Sequence, residues 1–337
     1  MGTHTRLRRA NRILDRAPRT ARFRWVSVAG ERSRDRDPLK PVRECPGARQ
    51  TRRLGPPRGY APGQSPARRR PARRKPFPPT AMRIATWNVN SVRARLPRVL
   101  AWLESAAPDI VCLQETKCVD EAFPREPIED LGYQIAHFGQ KTYNGVAILS
   151  KRPIEDVVLG LPDDTELSDK RVICAQVDDV LLVNLYVVNG QAVGTPKYAY
   201  KLEWLARVRA FLKERYDLAE KVIVTGDFNV TVDDRDVYDP DAWREKILCS
   251  TPERDALRAI TDLGLVDALR HHTGEAGIYT WWDFRTRGFR RNQGLRIDHF
   301  LMSAPALAAC SSVSVDMKER GAQRPSDHAP VVATLDG

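Results

Sequence analysis

The chain has 337 residues, room for one large domain or two ordinary ones. Its formal net charge of +12 is unevenly placed: 23 of its 55 Lys and Arg but only 5 of its 43 Asp and Glu precede Met82, so residues 82–337 are net −6. That balance excludes whole-chain basicity as an argument for a polyanion-binding fold, because any nucleic-acid contact by the folded part must be a local surface.

Residues 1–81 are rich in Arg, Pro and Gly, with runs such as Ala67-Arg68-Arg69-Arg70 and Arg73-Arg74-Lys75. They show no helical or strand period, and too little apolar surface to offset the entropy of ordering, so disorder is expected. Three readings compete: a stretch ahead of the true start at Met82, a basic tail adding non-specific nucleic-acid affinity, or a targeting peptide. The prolines argue against the last, and the strand pattern beginning directly at Met82 favours the first. Residues 82–337 are expected to form one folded domain. The six cysteines (Cys45, Cys112, Cys118, Cys174, Cys249, Cys310) form no CxxC pair, and there is no secretory signal or long apolar run. A reduced, soluble, cytoplasmic protein without a membrane contact is the simplest reading, with the cysteines structural.

From Met82 the pattern predicts a strand over Arg83 to Trp87 and a helix over Leu96 to Glu104, broken before Pro108. Ile110 to Leu113 and Gly145 to Leu149 read as buried strands. Val172 to Val177 and Val180 to Val187 read as a hairpin around Asp178-Asp179. Tyr198 to Tyr216 is the clearest helix, with Leu202, Leu205, Val208, Phe211 and Leu212 on one face. Lys221 to Thr225 is a strand, and Asp255 to Leu263 a helix stopped by Gly264. Strands over Tyr279 to Trp282, Ile297 to Met302, Val313 to Asp316 and Val331 to Thr334 follow, an alternation that indicates an α/β domain of packed sheets with helices outside.

The chemistry lies at the strand ends: Trp87-Asn88-Val89-Asn90, Leu113-Gln114-Glu115-Thr116, Gly226-Asp227-Phe228-Asn229, Arg296-Ile297-Asp298 and Ser326-Asp327-His328. Gathered at one rim, Glu115, Asp227 and Asp327 with Asn88 and Asn229 make an oxygen-rich pocket. A hard divalent cation, Mg²⁺ or Mn²⁺, relieves the repulsion of such carboxylates. Each piece alone is more often a cap or turn former. The ensemble suits a metal-dependent phosphatase as well as a nuclease. A second feature is Tyr279 to Asp298, where Trp281, Trp282, Phe284 and Phe289 interleave with Arg285, Arg287, Arg290, Arg291 and Arg296. Arginines neutralise phosphates and aromatic faces stack on bases, although core aromatics beside a solvated loop would look the same.

Seven stretches in order carry a resemblance: Trp87-Asn88-Val89-Asn90, Leu113-Gln114-Glu115-Thr116-Lys117, Asn144-Gly145-Val146-Ala147-Ile148, Gly226-Asp227-Phe228-Asn229, Trp281-Trp282-Asp283-Phe284-Arg285, Gly294-Leu295-Arg296-Ile297-Asp298 and Pro325-Ser326-Asp327-His328-Ala329-Pro330. On these the chain from Met82 onward resembles the exonuclease III and AP endonuclease branch of the endonuclease/exonuclease/phosphatase superfamily. The resemblance implies a four-layer α/β sandwich. It also implies Mg²⁺-dependent hydrolysis of phosphodiesters in double-stranded DNA at abasic sites, 3′-blocked ends and recessed 3′ strands, by a monomer. It assigns metal ligation to Glu115 with Asn88 and Asp327, and Asp227, Asn229 and His328 stand in the same ligand set. It makes Asp227 the activator of water, with Asn229 holding that water or a phosphate oxygen. His328, oriented by Asp298, is the donor to phosphate, and Tyr186 its partner at the phosphate or the leaving oxygen. Trp281 and Leu295 would line the pocket for an extruded sugar, and Arg285, Arg290 and Arg291 would meet the DNA. Val188 departs from the proline common two residues after the family's tyrosine, which loosens a turn but leaves Tyr186 in register. A phosphoinositide or sphingomyelin phosphodiesterase on the same fold, and a non-catalytic DNA-binding protein, are the alternatives. The 281–291 stretch and Gly294 to Asp298 weigh against the first, and the complete acid, amide and His set against the second.

Overall fold

A computed structural model describes residues 81–336. The disorder expected for residues 1–80, and Cys45, lie outside the described residues. Twelve strands follow in chain order: β1 Met82–Asn88, β2 Ile110–Gln114, β3 Gln134–Phe138, β4 Val146–Ser150, β5 Glu155–Leu159, β6 Val172–Val177, β7 Val180–Tyr186, β8 Lys221–Asp227, β9 Val266–Asp267, β10 Asp298–Met302, β11 Cys310–Val315 and β12 Val331–Leu335. They form two six-stranded sheets, ordered β11-β12-β1-β2-β4-β3 and β5-β6-β7-β8-β10-β9. Each has one parallel pair, β1 with β2 and β7 with β8, among antiparallel neighbours.

The two-residue alternation of a strand builds the layers. Met82 and Ile84 of β1 face the second sheet, in a core shared with Ile110, Ile148, Ile173, Leu182, Ile223, Phe300 and Met302. Ala85 and Trp87 point the other way, onto Val99, Trp102 and Leu103 of the helix Val92–Ala106. The outer face of the second sheet (Val183, Leu185, Val222, Val224) is covered by Trp204, Leu205, Val208, Phe211 and Leu212 of the helix Pro196–Arg215 and by Leu257 and Ile260 of the helix Thr251–Thr261. The result is the four-layer α/β sandwich, helix on sheet on sheet on helix. Toward the ends of the parallel strands the core between the sheets turns polar. The Gln114 amide donates to Asn184 Oδ1 (2.8 Å) and Thr86 Oγ1 (2.9 Å), and Asn184 donates back to the carbonyls of Leu113 (3.0 Å) and Ala147 (2.9 Å). The Gln114 nitrogen and both ends of the Asn184 amide are thereby bonded across the sheet interface, which fixes one sheet's rim against the other's.

Several boundaries differ from the sequence reading. The first helix begins at Val92 and runs through Pro97, ending in left-handed Ala107 before Pro108. The third long helix begins at Thr251, behind a Ser250–Glu253 capping box. Tyr279 to Trp282 is not a strand: Trp281 makes isolated bridges to Leu295 and His328, so its backbone is shared between two partners and no ladder extends. β3, β5 and β9 are edge strands, too short or too exposed to carry an alternating signal. No helix among the described residues is long and apolar enough to cross a membrane. Cys112, Cys118, Cys174, Cys249 and Cys310 are free and buried, and burial pushes the Cys118 thiol up to about 11, the condition of an unreactive structural thiol.

Candidate active site

Asn88 and Gln114 end one parallel pair, and Tyr186 and Asp227 end the other. Parallel neighbours finish at the same rim, where open α/β sheets place their ligands. Asp298 opens β10 directly opposite Asp227. Just beyond the strand ends the chain turns through left-handed residues, Asn90 (φ 45°), Glu115 (φ 54°) and Asn229 (φ 49°). Such backbone costs about 1–3 kcal/mol per residue and clusters at functional sites, where surrounding contacts over-determine it. Gly226 (φ 135°) is required for a different reason: a Cβ there would collide with the Leu185 carbonyl of the neighbouring strand.

The amide of Asn88 bridges the two carboxylates, donating to Glu115 Oε1 (2.8 Å) and Asp227 Oδ2 (2.9 Å). Asp227 also accepts the Asn229 backbone N–H (2.9 Å) and its side-chain amide (3.3 Å). Asn229 is held in turn, donating to the Val187 carbonyl (3.0 Å) and accepting from Asn189 Nδ2 (3.0 Å). Asp227 is 1% exposed, and that burial pushes its carboxyl up to about 7, against the opposing pull of His328. Burial, with the Glu115 and Asp227 carboxylates nearby, holds the Tyr186 phenol well above the ordinary range. The Arg171 guanidinium stacks 4.7 Å from the Tyr186 ring centre, and its Nη1 donates to the Tyr186 carbonyl (3.2 Å).

His328 presents Nδ1 to Asp298 Oδ2 (2.9 Å) and Nε2 to Asp227 Oδ2 (3.7 Å). Burial alone would lower its pKa; Asp298 and Asp227 outweigh that and pull it up to about 10. A histidine between two carboxylates keeps its proton and its aim. Its backbone is pinned as well: Trp87 Nε1 donates to the His328 carbonyl (3.2 Å), and Ser326 Oγ donates to the Asn88 carbonyl (2.6 Å) while accepting the His328 N–H (3.3 Å).

Ligand atoms of Glu115, Asp227 and His328 lie within 4.8 Å of one another. The two carboxylates, with Asn88 bridging them, form the oxygen-rich donor set that suits a hard divalent cation. His328 completes the cluster, with both nitrogens facing carboxylates. Asp327 stands apart from this cluster. Its Oδ1 accepts from Asn90 Nδ2 (2.9 Å) and its Oδ2 from Trp281 Nε1 (3.1 Å); burial would raise its pKa, but His328, Asn90 and Trp281 outweigh that and lower it.

The Tyr279 to Asp298 stretch divides. Trp281 is half-buried beside Asp327, whereas Leu295 is fully buried in a cluster with Val237, Leu248, Cys249 and Ile297 and presents no surface to a ligand in this conformation. Trp282 is likewise core, edge-on to Phe289. Arg296 does not belong to a basic surface: it is 1% exposed and ion-paired with Asp236 (2.7 Å) and Asp267 (2.7 Å). Arg285, Arg290 and Arg291 are exposed, on a loop whose Phe284 and Phe289 sandwich the Arg320 guanidinium at 4.6 and 4.9 Å.

Four contributors were passed over in the sequence. Lys117 pairs with Glu115 (2.7 Å) and donates to Asn90 Oδ1 (2.7 Å), so Lys117, Asn90 and Asp327 form a chain along one side of the rim. Both Lys117 and Asn90 sit inside the quoted motifs and could have been found there. Thr280 accepts the N–H groups of Ile297 (3.1 Å) and Asp298 (3.2 Å) on its hydroxyl, setting Asp298 in place, and Arg171 braces Tyr186; neither carries a sequence signal.

The model of the Endonuclease/Exonuclease/phosphatase family matches residues 85–328. An exodeoxyribonuclease III of Haemophilus influenzae is 34% identical over 264 residues, 75% of this chain and 99% of that protein. Among solved structures, a 3′ phosphatase from Neisseria bound to a product DNA hairpin superposes with a TM-score of 0.72 at 44% identity, covering 76% of this chain and 100% of that one. An AP endonuclease from Archaeoglobus fulgidus superposes with a TM-score of 0.73 at 39% identity, over 76% and 100% of the two chains.

Proposed function

This chain belongs to the endonuclease/exonuclease/phosphatase family, in its exonuclease III and AP endonuclease group, and we propose that it is a divalent-metal-dependent DNA repair nuclease cutting duplex DNA at abasic sites and 3′ ends. The observation that carries this reading is the convergence of Glu115, Asp227 and His328 within 4.8 Å at the strand-end rim, with Asn88 bridging the two acids.

A Mg²⁺ or Mn²⁺ ion bound by Glu115 and Asp227 beside Asn88 would supply Lewis-acid charge to a phosphate oxygen. Asp227, oriented by Asn88 and Asn229, takes the proton of the attacking water, and Asn229 holds that water in line. His328 donates from Nε2 to the scissile phosphate while Asp298 stabilises its Nδ1–H, so the growing negative charge meets a donor already in place. The protonated Tyr186 hydroxyl is a second donor, for phosphate or the leaving oxygen. Asp327 serves this site by orienting Trp281 and Asn90. Arg285, Arg290 and Arg291 meet the phosphate backbone of the duplex, and residues 82–337 form the catalytic domain.

A second reading is favoured by the burial of Leu295. With Leu295 packed into its apolar cluster rather than lining a sugar pocket, an enzyme confined to 3′ ends, removing 3′ phosphates or 3′ nucleotides, fits the site as it stands. End-labelled duplexes carrying either an abasic-site analogue or a 3′ phosphate separate the two, with Mg²⁺, with EDTA, and with an Asp227→Asn variant. Metal-dependent cutting 5′ to the abasic site supports the first reading, and turnover of the 3′ phosphate alone supports the second. No turnover of either by folded wild-type protein would sink both.

A further inference from the structure

Lys201 occupies a buried position of the helix Pro196–Arg215 that would ordinarily hold an apolar side chain, and it is fully buried. Its Nζ donates to the main-chain carbonyls of Asn229 (2.6 Å) and Asn189 (3.2 Å) and is ion-paired with Glu253, which is equally buried. Glu253 also accepts the N–H of Leu248 (3.1 Å), and the N–H (3.2 Å) and hydroxyl (2.6 Å) of Ser250. Gly190 lies flat on the lysine stem: a Cβ there would stand 3.1 Å from Lys201 Cδ and 3.0 Å from Ile247 Cδ1. One ammonium group thus ties together the loop after β7, the loop after β8 and the start of the helix Thr251–Thr261.

A buried ion pair is a weak device for stability, since removing both charges from water offsets most of their attraction, and an apolar pair of the same volume often does as well. What this pair holds is specific. The two carbonyls belong to the residues whose side chains meet at Asn189 Nδ2 and Asn229 Oδ1 (3.0 Å), and the nitrogen of the same Asn229 amide donates to the Val187 carbonyl (3.0 Å) and to Asp227 (3.3 Å). Asn229 is in left-handed backbone, a conformation that surrounding contacts must hold, and the Lys201 bond to its carbonyl is one of those contacts.

We propose that Lys201 is a positioning residue of the nuclease site, fixing the peptide planes of Asn189 and Asn229 and so aiming the Asn229 amide at Asp227. The role rests on the nuclease reading above and acts entirely through Asn229. The test combines Lys201→Met with Glu253→Gln in the full chain, so that no lone charge is left buried, and uses whichever labelled duplex the wild type cuts. A misplacement of about 1 Å at a reacting group can cost about 100-fold, so kcat should fall about 10- to 100-fold while KM stays within about twofold. In an Asn229→Ala background the same pair of changes should cost less than about threefold more, because both alter one interaction. In ¹⁵N spectra the Asn229 side-chain amide should be protected from exchange in the wild type and lose that protection in the variant, whatever the activity.

A folded variant with wild-type kcat and a protected Asn229 amide would overturn the proposal, as would losses that multiply with Asn229→Ala. If the paired variant does not fold, Lys201→Gln with Glu253→Gln, which likewise leaves no lone charge buried, takes its place with the same kcat and amide readouts and the same two outcomes. A wild type that cuts nothing overturns the nuclease reading and leaves the amide measurement to judge Lys201. A wild type and a folded variant that cut equally overturn only the role of Lys201.

Discussion

At the rim, Asn88 bonds to Glu115 and Asp227, 27 and 139 residues away, and Asn90 reaches Asp327 across 237. In the neighbouring arginine loop the described side-chain hydrogen bonds stay local: Arg285 to Asp283, Thr286 to the Asp283 carbonyl and Arg291 to the Thr286 carbonyl, two to five residues apart. The rim is buried and held by strands from two sheets, whereas Arg285, Arg290 and Arg291 are in water. The difference separates two tasks. Groups that must meet a developing charge need positions fixed by rigid elements, because each misplacement is felt in the rate. Groups that meet a phosphate backbone need only charge and reach, and gain from freedom to adjust.

The largest expected effect would break the rim while leaving the loop intact. Asp298→Asn keeps the shape but removes the charged acceptor from Nδ1 of His328, and kcat should drop by on the order of 10³–10⁴ with DNA affinity unchanged, by analogy with other Asp-His pairs. Single-turnover rates and filter binding on the same protein check this; weakened binding with an intact rate would show the contrast to be wrong. Next comes the ion-pair network behind the loop. Arg296→Met leaves Asp236 with Arg270 alone and takes the ion-pair partner from buried Asp267, and should destabilise the domain by about 3–5 kcal/mol in urea unfolding, since a buried charge is left uncompensated. A loss below about 1 kcal/mol would place Arg296 among ordinary surface charges.

The smallest effect belongs to the loop. Arg290→Ala with Arg291→Ala should leave kcat alone and weaken DNA binding about equally for all sequences. The slope of log affinity against log salt should shallow by about 0.9 for each phosphate that is no longer neutralised. An unchanged slope would mean that these arginines do not touch the DNA. If instead kcat fell with binding unchanged, the loop would share the rim's task and the division would fail.

The rim was partly legible in the chain because Asn88 and Asp227 end strands and Glu115 directly follows one, and strand ends can be found from periodicity; Asp298 opens β10 and His328 lies in the loop before β12, and their roles came from the family motifs. Asn88, Glu115, Asp227, Asp298 and His328 could each be named, and the two-residue alternation gave the opposing faces of β1. The Tyr279 to Asp298 stretch was less legible because its letters do not separate inside from outside. Trp282, Leu295 and Arg296 share a composition with Arg285 and Arg290, yet the first three are core and the others solvent. Arg296 is buried only because Asp236 and Asp267, distant in sequence, converge on it.

By itself the sequence determined the α/β class, the two kinds of layer and the list of chemically capable residues, because those follow from local pattern and residue type. Only the tertiary structure decided which of them meet. It set Asp327 apart from the Glu115, Asp227 and His328 cluster, closed Leu295 away, and put a lysine beneath Asn229. Such outcomes depend on how two sheets register against each other and on which charges find partners in the space between, and no local stretch of the chain encodes that.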